Sequence, residues 1–135
     1  MAQIPTQTLD QQRAALAWGY ATSNMAQPHG KDYKNLAKGA PALIMTSGLM
    51  PTLAFYHGKG GVHQQLLDDL IRGISERLPD KTAATGPDSQ LFSRFMLKLQ
   101  RCDSQDYMRA TDEALELLKW LRNFVDALKP EDAKK

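Results

Sequence analysis

Arg94, Lys98 and Arg101 are spaced four and three residues apart, and Lys31, Lys34 and Lys38 are spaced three and four. On a helix either spacing aligns the cations as one ridge. Such a ridge can neutralise successive phosphates of a nucleic acid without reading its bases. It can equally be no more than a solvated face. Arg13 is a different case, because it falls within an apolar stripe of Leu9, Leu16 and Tyr20. A charge there must snorkel to water, pair inside the protein, or reach a partner.

Enzyme chemistry finds less support. His29, His57 and His63 are the three histidines. They form no His-Glu-x-x-His pair, and their spacing matches no common zinc motif, so no metal site is expected. Gly58-Lys59-Gly60-Gly61 invites a phosphate-loop reading. That motif needs a glycine five residues before its Gly-Lys pair and a Ser or Thr after it. Leu53 and Gly60 occupy those places. What remains is a backbone able to approach another chain or a phosphate closely, with Lys59 supplying charge. The carboxylates of Asp68-Asp69, Asp112-Glu113 and Glu131-Asp132 are sequence neighbours, which diverge on a helix and make poor acid–base pairs. Asp112, Glu113 and Glu116 are expected on the solvated face of the last helix. Cys102 is the single cysteine, which excludes an internal disulfide and a four-cysteine zinc site. It is expected to be a half-buried free thiol. No catalytic residue and no cofactor is predicted.

The elements that must position these residues are helical. The chain has 135 residues, 24% charged and 42% hydrophobic, with a formal net charge of +2. This is enough for one domain with its own core. The mild charge excess does not by itself argue for nucleic acid. Met1 to Gln7 has neither a basic start nor an apolar core, and no stretch is apolar enough to span a membrane. A cytoplasmic protein without membrane contact is therefore expected. Strand alternation is nearly absent, and helical spacing recurs throughout.

The spacing predicts helices over about Thr8–Met25, Asp32–Ser47, Pro51–His57, Val62–Leu78 and Ser89–Cys102, with a last helix capped by Asp103 or Ser104. Pro79 should stop the fourth helix, and residues 80–90 form the longest irregular stretch. The first helix carries a second stripe, Ala14, Trp18, Ala21 and Met25, opposite the first. Two stripes imply either a central helix or one with a partner waiting. On the last helix Tyr107, Thr111, Ala114, Leu118, Leu121, Val125 and Leu128 recur in steps of four and three, widened by Leu117 and Phe124. That helix should lie deep in the bundle. The expected fold is all-α, a single compact bundle of about six helices. Its ordered core should cover residues 8–128 and be followed by a charged tail.

The run from Ala40 to Tyr56 holds a helix end, a glycine stop at Gly48 and a helix start at Pro51. Its wording, Gly39-Ala40-Pro41-Ala42-Leu43-Ile44 to Ser47-Gly48-Leu49 and then Thr52-Leu53-Ala54-Phe55, resembles the central signature of a known family. That family is the small α-helical subunit of the type III-B CRISPR (Cmr) effector complex. Gln11-Gln12-Arg13-Ala14 resembles the start of the family's first helix. Tyr107 to Leu115, with Leu118-Lys119-Trp120-Leu121-Arg122-Asn123-Phe124, resembles its final helix.

The resemblance implies a non-catalytic subunit. In that family the small subunits stack along the guide-RNA-bound backbone subunits, beside copies of themselves, and help hold the target RNA. Cutting belongs to other subunits. The resemblance also implies RNA contacts at Arg13, Lys59 and Arg109, which fall within or beside the matching motifs. Arg94, Lys98 and Arg101 are RNA candidates from spacing alone. Leu43, Ile44, Ala54, Phe55 and Trp120 read as packing. The rival reading is a helical protein-interaction or adaptor module that never meets nucleic acid and docks a partner through Trp18 and Met25.

Overall fold

Thr8 opens the first helix with a reciprocal capping box. Its Oγ1 accepts from the Gln11 backbone N–H at 3.1 Å, and the Gln11 Oε1 accepts from the Thr8 N–H at 2.7 Å. The computed structural model describes residues 6–78 and 87–128. Its helices are α1 (Leu9–Met25), α2 (Gly30–Ser47), α3 (Leu49–Lys59), α4 (Val62–Ser75), α5 (Leu91–Arg101) and α6 (Ser104–Ala127). A 3-10 turn, Asp88–Gln90, leads into α5. The fold is an all-α bundle, with no strand among the described residues. Asp103 caps α6 by accepting from the Asp106 N–H at 2.8 Å. The expected stop at Pro79, the loop over residues 80–86 and the charged tail lie outside the described residues.

The last helix is the spine of the bundle. It packs on α1, α2 and α4 and buries Ala114, Leu117, Leu118, Leu121 and Val125. The first helix packs on it and fully buries two small residues, Ala17 and Ala21. On the helical wheel Ala17 lies between the two apolar stripes read from sequence, and Ala21 is the edge of the second. The stripes are therefore the flanks of one broad buried face. Leu16, Tyr20 and Met25 pack against the core from those flanks, while Leu9 and Trp18 stay 42% and 48% exposed.

One residue joins α2 to α3. The N–H of Gly48 donates to the Ile44 carbonyl at 2.8 Å, and the Gly48 carbonyl accepts from the Thr52 hydroxyl at 2.8 Å. Its φ of 95° and ψ of 163° place it in a region open essentially only to glycine, and not in the left-handed helical cap geometry. Gly48→Ala is expected to destabilise the protein by about 2 kcal/mol, read as a lower urea midpoint with an unchanged slope. A midpoint equal to wild type would show that this backbone geometry is not required.

Four helices and one packing assignment differ from the sequence reading. The second helix begins two residues earlier than expected, at Gly30. The third helix is longer at both ends, and Gly58 stays helical; the turn belongs instead to Gly60 and Gly61, both at positive φ. The fourth ends at Ser75, and its last bonds tighten to Arg77 N–H to Ile74 and Leu78 N–H to Ser75. Leu78 precedes a proline in sequence, which disfavours the α conformation there. The fifth begins two residues late because the 3-10 turn takes its first residues. Ala54 and Phe55 are not core residues: both are exposed, Phe55 by 50%. Leu49, Thr52, Leu53 and Tyr56 set the buried face of α3, and Ala54 and Phe55 fall on its other side.

A polar knot pins α1, α2 and α4 together. The Asp69 Oδ2 accepts from the Tyr33 hydroxyl at 2.7 Å and from the Asn24 amide at 3.1 Å. The Asn24 amide also donates to the Tyr20 carbonyl, and its Oδ1 lies 2.9 Å from the His29 Nε2. Burial pushes the Asp69 carboxyl up to about 6, although both of these hydrogen bonds oppose the shift. Burial and the neighbouring Asp69 charge likewise push the Tyr33 hydroxyl far above the usual tyrosine range.

Candidate nucleic-acid interface

The α5 ridge forms as its spacing predicts, but its members are not equivalent. Arg101 is exposed, whereas Arg94 and Lys98 are half-buried. The Arg94 Nη1 donates to the Pro87 carbonyl at 2.8 Å, tying α5 to the segment before it. Both half-buried cations make further contacts within the chain. Arg101 is therefore the member most open to an external phosphate.

Arg13 pairs inside the protein. Its Nε and Nη2 donate to the two carboxylate oxygens of Glu113, each at 2.8 Å. Asp10 lies 3.5 Å from its Nη1. The Arg13 side chain is 16% exposed and that of Glu113 only 6%. The bidentate bond to Glu113 holds the guanidinium above its ordinary pKa, against the opposing effect of burial. The solvated-face reading of Glu113 is thus overturned. Asp112 is exposed and Glu116 half-buried, but Glu113 shares the inner face of α6 with Ala110, Ala114 and Leu117. Burial is tolerated there because a fork of Arg13 saturates the carboxylate.

Arg109 and Arg13 line one cleft between α1 and α6. The Arg109 side chain is 54% exposed, with its Nη1 3.6 Å from Asp106. Lys59, at the end of α3, is exposed and sits 5.6 Å over the ring of Phe55. Such a contact orients the ammonium without neutralising it. The six candidate cations do not form one site. Arg13 and Arg109 sit on α1 and α6, while α5 packs against α3 and α4.

The histidines beside the glycine turn are occupied by aromatic partners. His57 stacks on Phe92 at 4.0 Å, nearly parallel, and its Nδ1 lies 2.8 Å from the Gln64 Oε1. His63 meets Phe55 edge-on and Tyr56 at a tilt. Among the described residues no group of three or more His, Cys, Asp or Glu side chains is placed to hold a metal ion. Cys102 is half-buried as expected, and burial pushes its thiol up. No helix among the described residues is long and apolar enough to cross a membrane.

A family model described as CRISPR-associated protein (Cas_Cmr5) matches residues 9–128, from the first residue of α1 to the residue after α6. The chain belongs to the Cmr5 family. It is also 26% identical over 98 residues to the CRISPR system Cmr subunit Cmr5 of Thermus thermophilus. That alignment covers 72% of this chain and 75% of the relative. The resemblance to the small subunit of the type III-B complex thus holds, and the protein is a Cmr complex subunit.

On this Cmr5 bundle, Trp18 meets Phe124 edge-on at 5.3 Å and leaves half its surface open. Met25 packs partly against the core, so it offers a partner less. Two cations that sequence reasoning did not single out, Lys119 and Arg122, are exposed on α6 and line a cleft with Pro41 and Met45 of α2. Neither forms an ion pair among the described residues. The available signal was their spacing of three on a helix face, the same signal that drew attention to α5.

Proposed function

We propose that this protein is a non-catalytic, RNA-holding subunit of the Cmr complex. It stacks beside the backbone subunits and copies of itself and contacts target RNA through basic surface residues. The observation that carries the reading is family membership spanning every helix of the bundle. The exposed cations Lys59, Arg101 and Arg109 give it a chemistry, because phosphate contacts position a strand without reading its sequence. Arg13 supports the reading only indirectly, since its guanidinium is committed to Glu113.

The isolated chain is expected to bind single-stranded RNA weakly and without base preference. Its affinity should fall steeply with salt, with a log–log slope of about −0.7 for each phosphate neutralised. Anisotropy titrations with labelled oligouridine and oligoadenosine across a salt series measure this. Equal, salt-dependent affinities support the reading. Absence of binding even at low salt would remove the RNA role and leave a protein-interaction subunit. Pull-down of the tagged chain from its native cells tests the assembly role, through recovery of a multi-subunit complex carrying a short guide RNA.

A further inference from the structure

Two helix faces meet in a groove whose charges do not balance. On α2, Lys34, Lys38, Pro41 and Met45 follow in steps of four, three and four. On α6, Leu115, Lys119, Arg122 and Asp126 do the same. Each set therefore lies along one face of its helix. At one end Lys34 and Lys38 reach across to Asp126. At the other, Pro41 and Met45 border a cleft of about 320 Å³ shared with Lys119 and Arg122.

Along the groove one carboxylate faces four cations. Both lysine ammoniums converge on the same oxygen, Asp126 Oδ1, at 3.7 and 3.0 Å. Their bonds and charges hold the exposed Asp126 carboxyl below its ordinary pKa, so it stays ionised. Lys119 and Arg122 have no carboxylate partner among the described residues. Arg122 offers a planar fork suited to a phosphate, and the lysines offer point charges. Met45 is 75% exposed, so an apolar surface lies open beside the cations. A protein partner fits less well, because interface cores are depleted of charge and this groove is dominated by it.

We propose that the α2–α6 groove holds the phosphate backbone of single-stranded RNA through Lys34, Lys38, Lys119 and Arg122. The strand's sugars or bases lie against Met45 and Pro41, and Asp126 occupies a phosphate position until RNA displaces it. The proposal rests on the RNA-holding reading above and adds this groove to the exposed cations named there.

The test uses the full chain and a labelled oligouridine, read by anisotropy over a salt series. Lys119→Ala combined with Arg122→Ala should weaken binding on the order of tenfold and flatten the salt slope by about 1.4, as loss of two single-strand phosphate contacts requires. Asp126→Asn should tighten binding about threefold, the scale of an exposed ion pair. A gain of affinity cannot come from a damaged fold. If wild type binds, the α2–α6 variants bind alike and Arg94→Ala, Lys98→Ala and Arg101→Ala together abolish binding, this groove is the wrong face while the RNA reading stands. If wild type does not bind, both fall. If the Lys119 and Arg122 variant binds RNA normally but no longer copurifies with other Cmr subunits, the groove is a protein contact and the proposal is overturned.

Discussion

Arg13→Ala is expected to cost about 3–5 kcal/mol of stability, the scale for removing one member of a buried ion pair. The reason lies in what it leaves behind. Glu113 is 6% exposed, and Arg13 is its partner at both carboxylate oxygens. Without that partner, a charge faces the core with two acceptors unsatisfied. The reverse change should cost less. Glu113→Gln leaves Arg13 beside Asp10 at 3.5 Å and closer to water, so about 2 kcal/mol is expected. Replacing both at once, Arg13→Met with Glu113→Leu, removes the pair and its desolvation together. That double variant should return to within about 1 kcal/mol of wild type. Urea unfolding of the four proteins measures each of these changes. If Arg13→Ala alone stays within about 1 kcal/mol, the pair is not structural and the guanidinium must be kept for a partner. The double variant should also keep its RNA affinity, since both forks of Arg13 are committed internally.

This pair also shows where the sequence is legible. The helices themselves follow from periodicity, because α6 repeats its apolar step over its whole length and α1 announces its cap at Thr8. Position on a wheel is legible too: Glu113 stands three residues after Ala110 and four before Leu117, on the flank that Leu117 and Phe124 widen. Its charge suggested solvent, and position decided otherwise. What neither helix reveals alone is its partner. Arg13 and Glu113 are a hundred residues apart in sequence, and only the packing of α1 on α6 brings them together. A cation on one buried face and an anion on another are nonetheless a joint signal, since each would be costly without the other. Phe55 is the converse case. Its size suggested core, but the buried face of α3 is set by Leu49, Leu53 and Tyr56. The candidate interface was the least legible part. Spacing identifies a ridge, yet it does not say which cations are already spent. Arg94 is tied to Pro87, while Lys119 and Arg122 form no ion pair among the described residues.

Asp69→Asn is expected to stabilise the protein at pH 7.5 by up to about 3 kcal/mol. The Asp69 carboxyl titrates near 6 in the folded chain and at an ordinary 3.8 when unfolded. Between those values the folded state takes up a proton that the unfolded chain does not. Stability from this residue is therefore fully present below pH 3.8 and is lost as pH rises through about 6. Wild type should gain about 1.4 kcal/mol relative to the asparagine variant when the pH falls from 7.5 to 5.0. The amide can keep the architecture, because both Tyr33 and Asn24 donate to a single oxygen, Oδ2, that an asparagine carbonyl can replace. Tyr33→Phe provides the opposite sign. It removes one of the two donors that hold the charge and should cost about 2 kcal/mol at pH 7.5, but less at pH 5.0, where the carboxyl is largely protonated. Urea midpoints of the three proteins at both pH values decide the matter. A wild type and an asparagine variant whose difference does not change with pH would mean that Asp69 is no costlier to charge inside the bundle than in water. The knot would then be an ordinary set of hydrogen bonds. A difference that shrinks on acidification would mean that the bundle tolerates a buried charge at neutral pH to fasten α1 and α2 onto α4.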